Sequence, residues 1–278
     1  KKKIPIIWTI HHASYSLKYD SFHTKIIVKL LSKISYFIPK KIIFCSDLSF
    51  QIHKKIGYRN YGYSIIRNGV DFKEFYPNKE LGLFYKNKLF LKDKDFIVGF
   101  VGRFDPNKGI NCFLKTVQEL KKYKKNNIKF IMCGKEMNKK NTLLNSQLIK
   151  YNLKNDIILL GEQKDMNSIY NMMDLIICCS ITESFGLVVV EALACGKNVI
   201  CSDIPALRQL VKKEFLIKPE SYINFAKKIF FISENKIEYQ KNKQSNRNSV
   251  FKKYNIEDMV KKYYDIYKFK TNKDSKYL

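Results

Sequence analysis

The stretch DLIICCSITESFGLVVVEALACGKNVICS, Asp174 to Ser202, reads as strand, loop, helix and strand in turn. An apolar run rich in isoleucine (174–180) leads into a polar loop, a helical pattern covers 186–195, and a second short apolar run follows at 198–202. A β-α-β order of this kind is the mark of a parallel sheet covered by helices. Two carboxylates, Glu183 and Glu191, bracket the glycine at the helix entrance. Eight residues of pure helix rotate them by about 80°, so they do not face each other as an acid and base on one helix. They are better placed to grip two parts of an extended ligand, with the amides of Phe185, Gly186 and Leu187 aimed at an anion between them. No histidine or further carboxylate cluster stands nearby for a metal. The competing reading makes Glu183 a helix-start carboxylate and Glu191 a surface residue.

The same alternation extends outward along nearly the whole chain. Strands are expected at 4–10, 41–46, 63–67, 95–102, 128–134, 156–161, 174–180, 198–202 and 214–217. Helices are expected near 22–37, 47–56, 108–124, 141–151, 166–173, 186–195, 205–212, 219–233 and 256–268. Around 72–94 the composition shifts to Pro, Asn and Lys without a clean period, which places a domain junction there. The block after it carries about six strands, enough for a complete doubly wound unit; the block before it has three, so its opening half is expected to be missing.

A second stretch follows the same logic. In GFVGRFDPNKG (99–109) a strand ends at Gly102, Arg103 follows, and Lys108 stands where the next helix opens. Two cations and free backbone amides thus converge at the carboxyl end of a parallel sheet, which suits a diphosphate. This stretch is neither GxxxxGK[ST] nor GxGxxG, so the ATPase and dinucleotide readings have little support.

With 45% hydrophobic residues the chain is long and apolar enough to fill real cores, which excludes a disordered protein. Fifty-two Lys and Arg against twenty-five Asp and Glu leave a formal charge of +27, which favours nucleic acid, anionic lipid or a phosphorylated substrate. No RNA or DNA motif accompanies that charge, so nucleic acid ranks last. The seven cysteines form no CxxC pair and sit mostly in apolar runs, as reduced thiols of a cytosolic protein would. No apolar run reaches the roughly 18 to 20 residues of a membrane span.

At this point the residues resemble a known family. GRFDPNKG followed by ESFGLVVVEALACGK is similar to the retaining glycosyltransferases of the GT-B fold, family 4 (glycosyl transferases group 1), whose mark is the E-x7-E pattern from Glu183 to Glu191. TIHH (9–12), CSD (45–47), IIRNGVDFKEFYP (65–77), GEQKDMNSIYNMMDLIICCS (161–180) and SDIPALRQLV (202–211) fall in the order of that family. The resemblance implies an α/β protein of two Rossmann-like doubly wound domains facing a cleft, the N-terminal one incomplete. Residues 1–80 are then the rest of the acceptor-side domain, 81–254 the nucleotide-sugar domain, and 255–278 a helix crossing back to the first. Asn198 stands where the family usually has proline, a change expected to alter loop stiffness more than chemistry.

Site roles follow from the same resemblance. Arg103 and Lys108 would neutralise the donor diphosphate without a metal, with Gly102 beside them. Glu183 would bind sugar hydroxyls, with the Phe185, Gly186 and Leu187 amides near sugar and phosphate. Glu191 would take the ribose hydroxyls, Glu162 would line the base pocket, and His11 would reach the sugar from the opposite domain. His23 and His53 read as surface residues. The resemblance implies a metal-independent retaining transferase with no cofactor. A UDP-, GDP- or ADP-sugar would be the donor, and a glycan or lipid-linked molecule the acceptor, in polysaccharide or glycoconjugate assembly. A donor-binding half without activity and a nucleotide-sugar epimerase are the alternatives.

In FHTKIIVKLLSKISYFI (22–38), Phe22, Ile26, Leu30, Ile34 and Phe37 share one helical face with lysines along another. Either that face packs into a core or it rests on anionic lipid. The expected location is cytoplasmic, with a peripheral position at the inner face of the membrane open to test.

Overall fold

Nine strands form among the described residues, and each runs parallel to its neighbours. This computed structural model describes residues 4–12, 22–124 and 127–274. In chain order the elements are β1 (Ile7–Ile10), α1 (Phe22–Ile34), β2 (Lys41–Phe44), α2 (Asp47–Ile56), β3 (Tyr63–Ile65), α3 (Lys79–Lys88), β4 (Phe96–Val101), α4 (Ile110–Lys121), β5 (Ile128–Cys133) and α5 (Thr142–Lys150). There follow β6 (Ile157–Gly161), α6 (Met166–Met172), β7 (Leu175–Cys178), α7 (Leu187–Ala194), β8 (Asn198–Ser202), α8 (Pro205–Arg208), β9 (Leu216–Ile217), α9 (Tyr222–Glu234), α10 (Lys236–Gln240), α11 (Lys243–Phe251) and α12 (Ile256–Asp274).

The chain divides into two units. One takes in the described residues of Lys1–Asp71, Glu183–Phe185 and Tyr254–Leu278; the other is Phe72–Thr182 with Gly186–Lys253. In the first, strands in the order β1-β2-β3 cover a small core of Ile42, Phe44, Phe50 and Tyr58, with Val28 and Leu31 of α1 packed against it. Ser46 caps α2 by accepting from the Ser49 amide, and Gly57 closes it in the left-handed conformation at φ 106°. α12 joins this unit at its first turn, where the Ile256 amide donates to the Val70 carbonyl at 3.1 Å.

One expectation changes here. His53 is a core residue, only 2% exposed. Its Nδ1 donates to the Ser49 carbonyl at 2.8 Å, and its ring meets Tyr58 edge-on. Burial pushes its imidazole below the usual value, opposed by the Ser49 bond and helped by nearby His12. The sequence hid this because a lone histidine in SFQIHKKI reads as polar, while its place on α2 faces the strands. On α1, Val28 and Leu31 face the core; Phe22, Ile26 and Leu30 are exposed at 72%, 49% and 58%.

The second unit holds six strands in the order β6-β5-β4-β7-β8-β9. Every residue of β4 but the last is buried, as expected of a central parallel strand covered on both faces. Its core runs through Phe96, Val98, Phe100, Phe113, Leu114, Ile131 and Val189. All seven cysteines are free and buried.

The stretch without a period contains α3. Asn78 caps it through the Leu81 amide. Gly82 in its middle reads as a breaker but serves as a contact: a Cβ there would stand 2.5 Å from the Asn171 carbonyl oxygen of α6. Glycine lets two helix backbones touch, so helical content survives a poor propensity. α10 and α11 likewise fall where the sequence showed no pattern. Helix α8 stops at Arg208, shorter than the expected 205–212.

Candidate functional site

The strand order locates the site. From β4 the chain winds outward through β5 to β6, then returns to place β7 on the other side of β4. The loops after β4 and β7 therefore part in opposite directions and leave a crevice at the carboxyl ends of the strands, the point where open α/β sheets bind ligands.

The β4 loop, Gly102 to Gly109, is rigidly built. Asp105 accepts from the Asn107 amide at 2.9 Å and caps a short 3-10 turn, Pro106–Lys108. Its other oxygen accepts from Arg103 Nε at 3.0 Å. Burial opposes ionisation of Asp105, but the Asn107 amide and the Arg103 guanidinium outweigh it and hold the carboxyl below its usual range. Arg103 is thereby oriented while its side chain stays 67% exposed. The stem of Lys108 runs 3.8 Å from where a Gly102 Cβ would stand, so both cations border the same glycine.

The two loops are stitched together. The Ile181 amide donates to the Asn107 carbonyl at 2.8 Å. Gly109, at φ 74°, lies so close to β7 that a Cβ would meet the Cys179 carbonyl oxygen at 2.0 Å. No other residue type fits there. Beyond this junction Gly186 caps α7 at φ 97°, where a Cβ would meet the Leu207 and Leu210 side chains at 2.6 and 3.0 Å. The first amides of α7 are thus free of a side-chain cap. Leu187 begins the helix with 40% of its surface exposed.

Glu191 sits one turn further along α7, half-buried. Its Oε2 accepts from the Tyr170 hydroxyl at 2.7 Å. Burial pushes the Glu191 carboxyl up, the Tyr170 bond opposes that rise, and the negative charge of Glu74 adds to it. Tyr170 is fully buried, and burial together with the Glu191 charge drives its phenol well above the usual value. This positioning partner was not among the residues singled out from the sequence; in NSIYNMMD it reads as one more core aromatic. Glu162 follows β6 directly and is exposed.

The remaining candidates belong to the first unit. His11 is exposed just after β1. In Glu183–Phe185, Ser46 Oγ donates to the Ser184 carbonyl at 3.1 Å, and the Phe185 ring packs edge-on against Tyr254. The Phe185 side chain is thus a core group, leaving its backbone as the part able to meet a ligand. Among the described residues no group of three His, Cys, Asp or Glu is arranged to hold a metal ion. No helix among them is long and apolar enough to cross a membrane.

Comparison with known proteins bears on the family and the fold. The family profile described as Glycosyl transferases group 1 matches residues 83–249. Among curated proteins, the chain is 29% identical over 73% of its length to an Escherichia coli UDP-Gal:alpha-D-GlcNAc-diphosphoundecaprenol alpha-1,3-galactosyltransferase, covering 53% of that protein. It is 25% identical over 64% of its length to a Campylobacter jejuni N,N'-diacetylbacillosaminyl-diphospho-undecaprenol alpha-1,3-N-acetylgalactosaminyltransferase, covering 46% of it. The chain thus spans about half the length of the curated relatives it matches. Among solved structures, Anabaena HepE in complex with UDP and glucose superimposes with a TM-score of 0.83 at 19% identity, over 95% of this chain and 71% of that one. Sucrose-phosphate synthase from Thermosynechococcus elongatus superimposes with a TM-score of 0.80 at 20% identity, over 96% and 68%. At these identities the likeness shows the fold, which is α/β of the GT-B type.

Proposed function

The chain belongs to the glycosyl transferases group 1 family, and from that premise we propose that it moves a sugar from a nucleotide-diphosphate sugar to a lipid-linked or glycan acceptor. The observation that carries the proposal is the stitched pair of loops at the β4/β7 switch point, with Arg103 and Lys108 on one side and the uncapped entrance of α7 on the other. The relatives named for undecaprenol-linked substrates support a lipid-linked acceptor.

In this reading each group has a separate task. Cleaving the bond between sugar and diphosphate leaves negative charge on phosphate and builds positive charge on the sugar ring. Arg103, Lys108 and the amides at Gly186 and Leu187 stabilise the first, as preorganised donors do in a transition state. Gly102 leaves room for phosphate beside the two cations. Glu191, held by Tyr170, accepts the two ribose hydroxyls, a role that suits an acceptor-only carboxylate. Glu162 borders the base. Glu183, the Phe185 amide and His11 attend the sugar. The reaction retains configuration: the acceptor attacks on the face the phosphate leaves, the phosphate takes its proton, and neither a protein nucleophile nor a metal is needed.

The exposed Phe22, Ile26 and Leu30 of α1, with its lysines, support a peripheral site on an anionic inner membrane face in the cytoplasm. Sedimentation with anionic and neutral liposomes tests it, and equal binding to both refutes it.

A thermal-shift screen of the full-length protein against UDP-, GDP- and ADP-sugars tests the donor assignment, since a ligand of the native state raises the melting temperature. One nucleotide class is expected to stabilise the protein; no shift with any of them counts against a donor site. Donor binding without product across a broad acceptor panel would favour a donor-binding protein over a transferase. Glu191→Ala is expected to weaken a ribonucleotide more than bare pyrophosphate, and equal losses contradict the ribose role.

A further inference from the structure

At the strand-start end of the six-stranded sheet, opposite the loops that follow β4 and β7, lies a cavity of about 540 Å³. It opens beside the residues that lead into β7 and β8, and the second unit alone lines it. Five lysines border it, Lys79, Lys86, Lys197, Lys236 and Lys243, against two carboxylates, Asp93 and Asp174.

One of the two carboxylates is already shared. Asp174 takes Lys236 at 3.1 Å, Lys86 at 3.7 Å and the Ile97 amide at 2.9 Å. Lys197 turns instead to a neutral acceptor, the Asn171 carbonyl, at 2.8 Å. Burial pushes the Lys197 amine down to about 8; Asp174 opposes that, while the charges of Lys243 and Lys86 add to it. Several ammonium groups therefore face one another across a concave space with too few carboxylates to neutralise them, an arrangement that a multiply charged anion relieves. Compact ammonium groups act as point charges on phosphate oxygens, each bringing three rotatable N–H donors. Leu83 and Met172 supply an apolar wall, and the volume falls in the range of small-molecule pockets.

We propose that this cavity binds a phosphate-bearing small molecule, its phosphoryl oxygens taken by Lys197, Lys243 and Lys79 and its less polar part lying against Leu83 and Met172. The site stands apart from the residues assigned to the donor and does not depend on that assignment.

Titration calorimetry with sodium tripolyphosphate tests it, carried out in an Arg103→Ala/Lys108→Ala background so that the β4 loop contributes nothing. Saturable one-to-one binding is expected there. It should fall at least tenfold on adding Lys79→Gln/Lys243→Gln, both exposed residues, with the melting temperature of the variant unchanged, and again with Lys197→Met. The exposed pair Lys154→Gln/Lys261→Gln removes the same charge elsewhere and should change the affinity by less than twofold. Absence of saturable binding, binding indifferent to Lys79 and Lys243, or an equal loss in the control pair would each overturn the proposal.

Discussion

Replacing Tyr170 by Phe removes one oxygen atom and tests how Glu191 is held. The phenol is fully buried, its hydroxyl donates to Glu191 Oε2 at 2.7 Å, and the phenylalanine ring refills the same space without a cavity. A hydrogen bond to a charged group contributes about 1.5 to 3 kcal/mol, and one to a neutral group about 0.5 to 1.5 kcal/mol. The loss should therefore depend on the ionisation of Glu191. A carboxyl that burial pushes upward binds its proton more tightly folded than unfolded, so its contribution favours the fold at low pH and fades as pH rises through the folded-state value. The Tyr170 hydroxyl lowers that value, so Tyr170→Phe lengthens the fade. Urea denaturation followed by circular dichroism, on both proteins from about pH 4 to about pH 8, should show a gap of about 1 kcal/mol at the acid end. It should widen to about 2 to 3 kcal/mol near neutrality. Taking the difference between the two proteins cancels the titration of other carboxylates. A gap that is constant with pH, or a variant more stable than the parent, would refute the coupling. The variant should also bind UDP more weakly while its affinity for pyrophosphate stays unchanged.

Gly82→Ala improves helix propensity in α3 by about 1 kcal/mol but drives a methyl to 2.5 Å from a backbone oxygen of α6. The net result should be a loss of about 1 to 2 kcal/mol by thermal or urea melting, and a gain would show that the two helices separate freely. Arg247 donates to the carbonyls of Phe72, Phe75 and Ala194 at 3.1, 2.8 and 2.7 Å, tying the 72–75 segment to the end of α7. Arg247→Ala should destabilise the second unit by about 2 to 3 kcal/mol, and Arg247→Lys should recover less than half because one ammonium cannot reach three acceptors; full recovery by lysine would contradict the three-way tie. Gly109→Ala should disturb the β4 loop and lower nucleotide-sugar affinity more than it lowers stability, read by titration and melting on the same sample.

Much of the fold was legible because burial on both faces leaves a simple trace. Strands such as Phe96–Val101 and Leu175–Cys178 are unbroken apolar runs, and each is found where the sequence places it, shorter by a residue or two at the ends. The unread parts share a cause. α3 draws its stability from contact with α6, and the core face of α1 is set by the strands it meets, so neither shows in local periodicity. Arg103 and Lys108 stood out as cations between a strand end and a helix start, and Gly186 and Glu191 as a glycine and a carboxylate at the entrance of the next helix. Tyr170 and Asp105, which orient Glu191 and Arg103, did not, since a buried tyrosine and a capping aspartate have ordinary local reasons to exist.

The sequence by itself determined the alternation of strand and helix, hence a parallel α/β protein, and the chemical character of the loops that follow β4 and β7. It also argued that Glu183 and Glu191 are not a facing pair, since helical rotation alone separates them. The tertiary structure decided that β7 returns beside β4, which brings the Asn107 carbonyl to the Ile181 amide and makes one crevice of loops some seventy residues apart. Strand order rests on contacts between distant segments, and no local pattern records which neighbour a buried strand will choose.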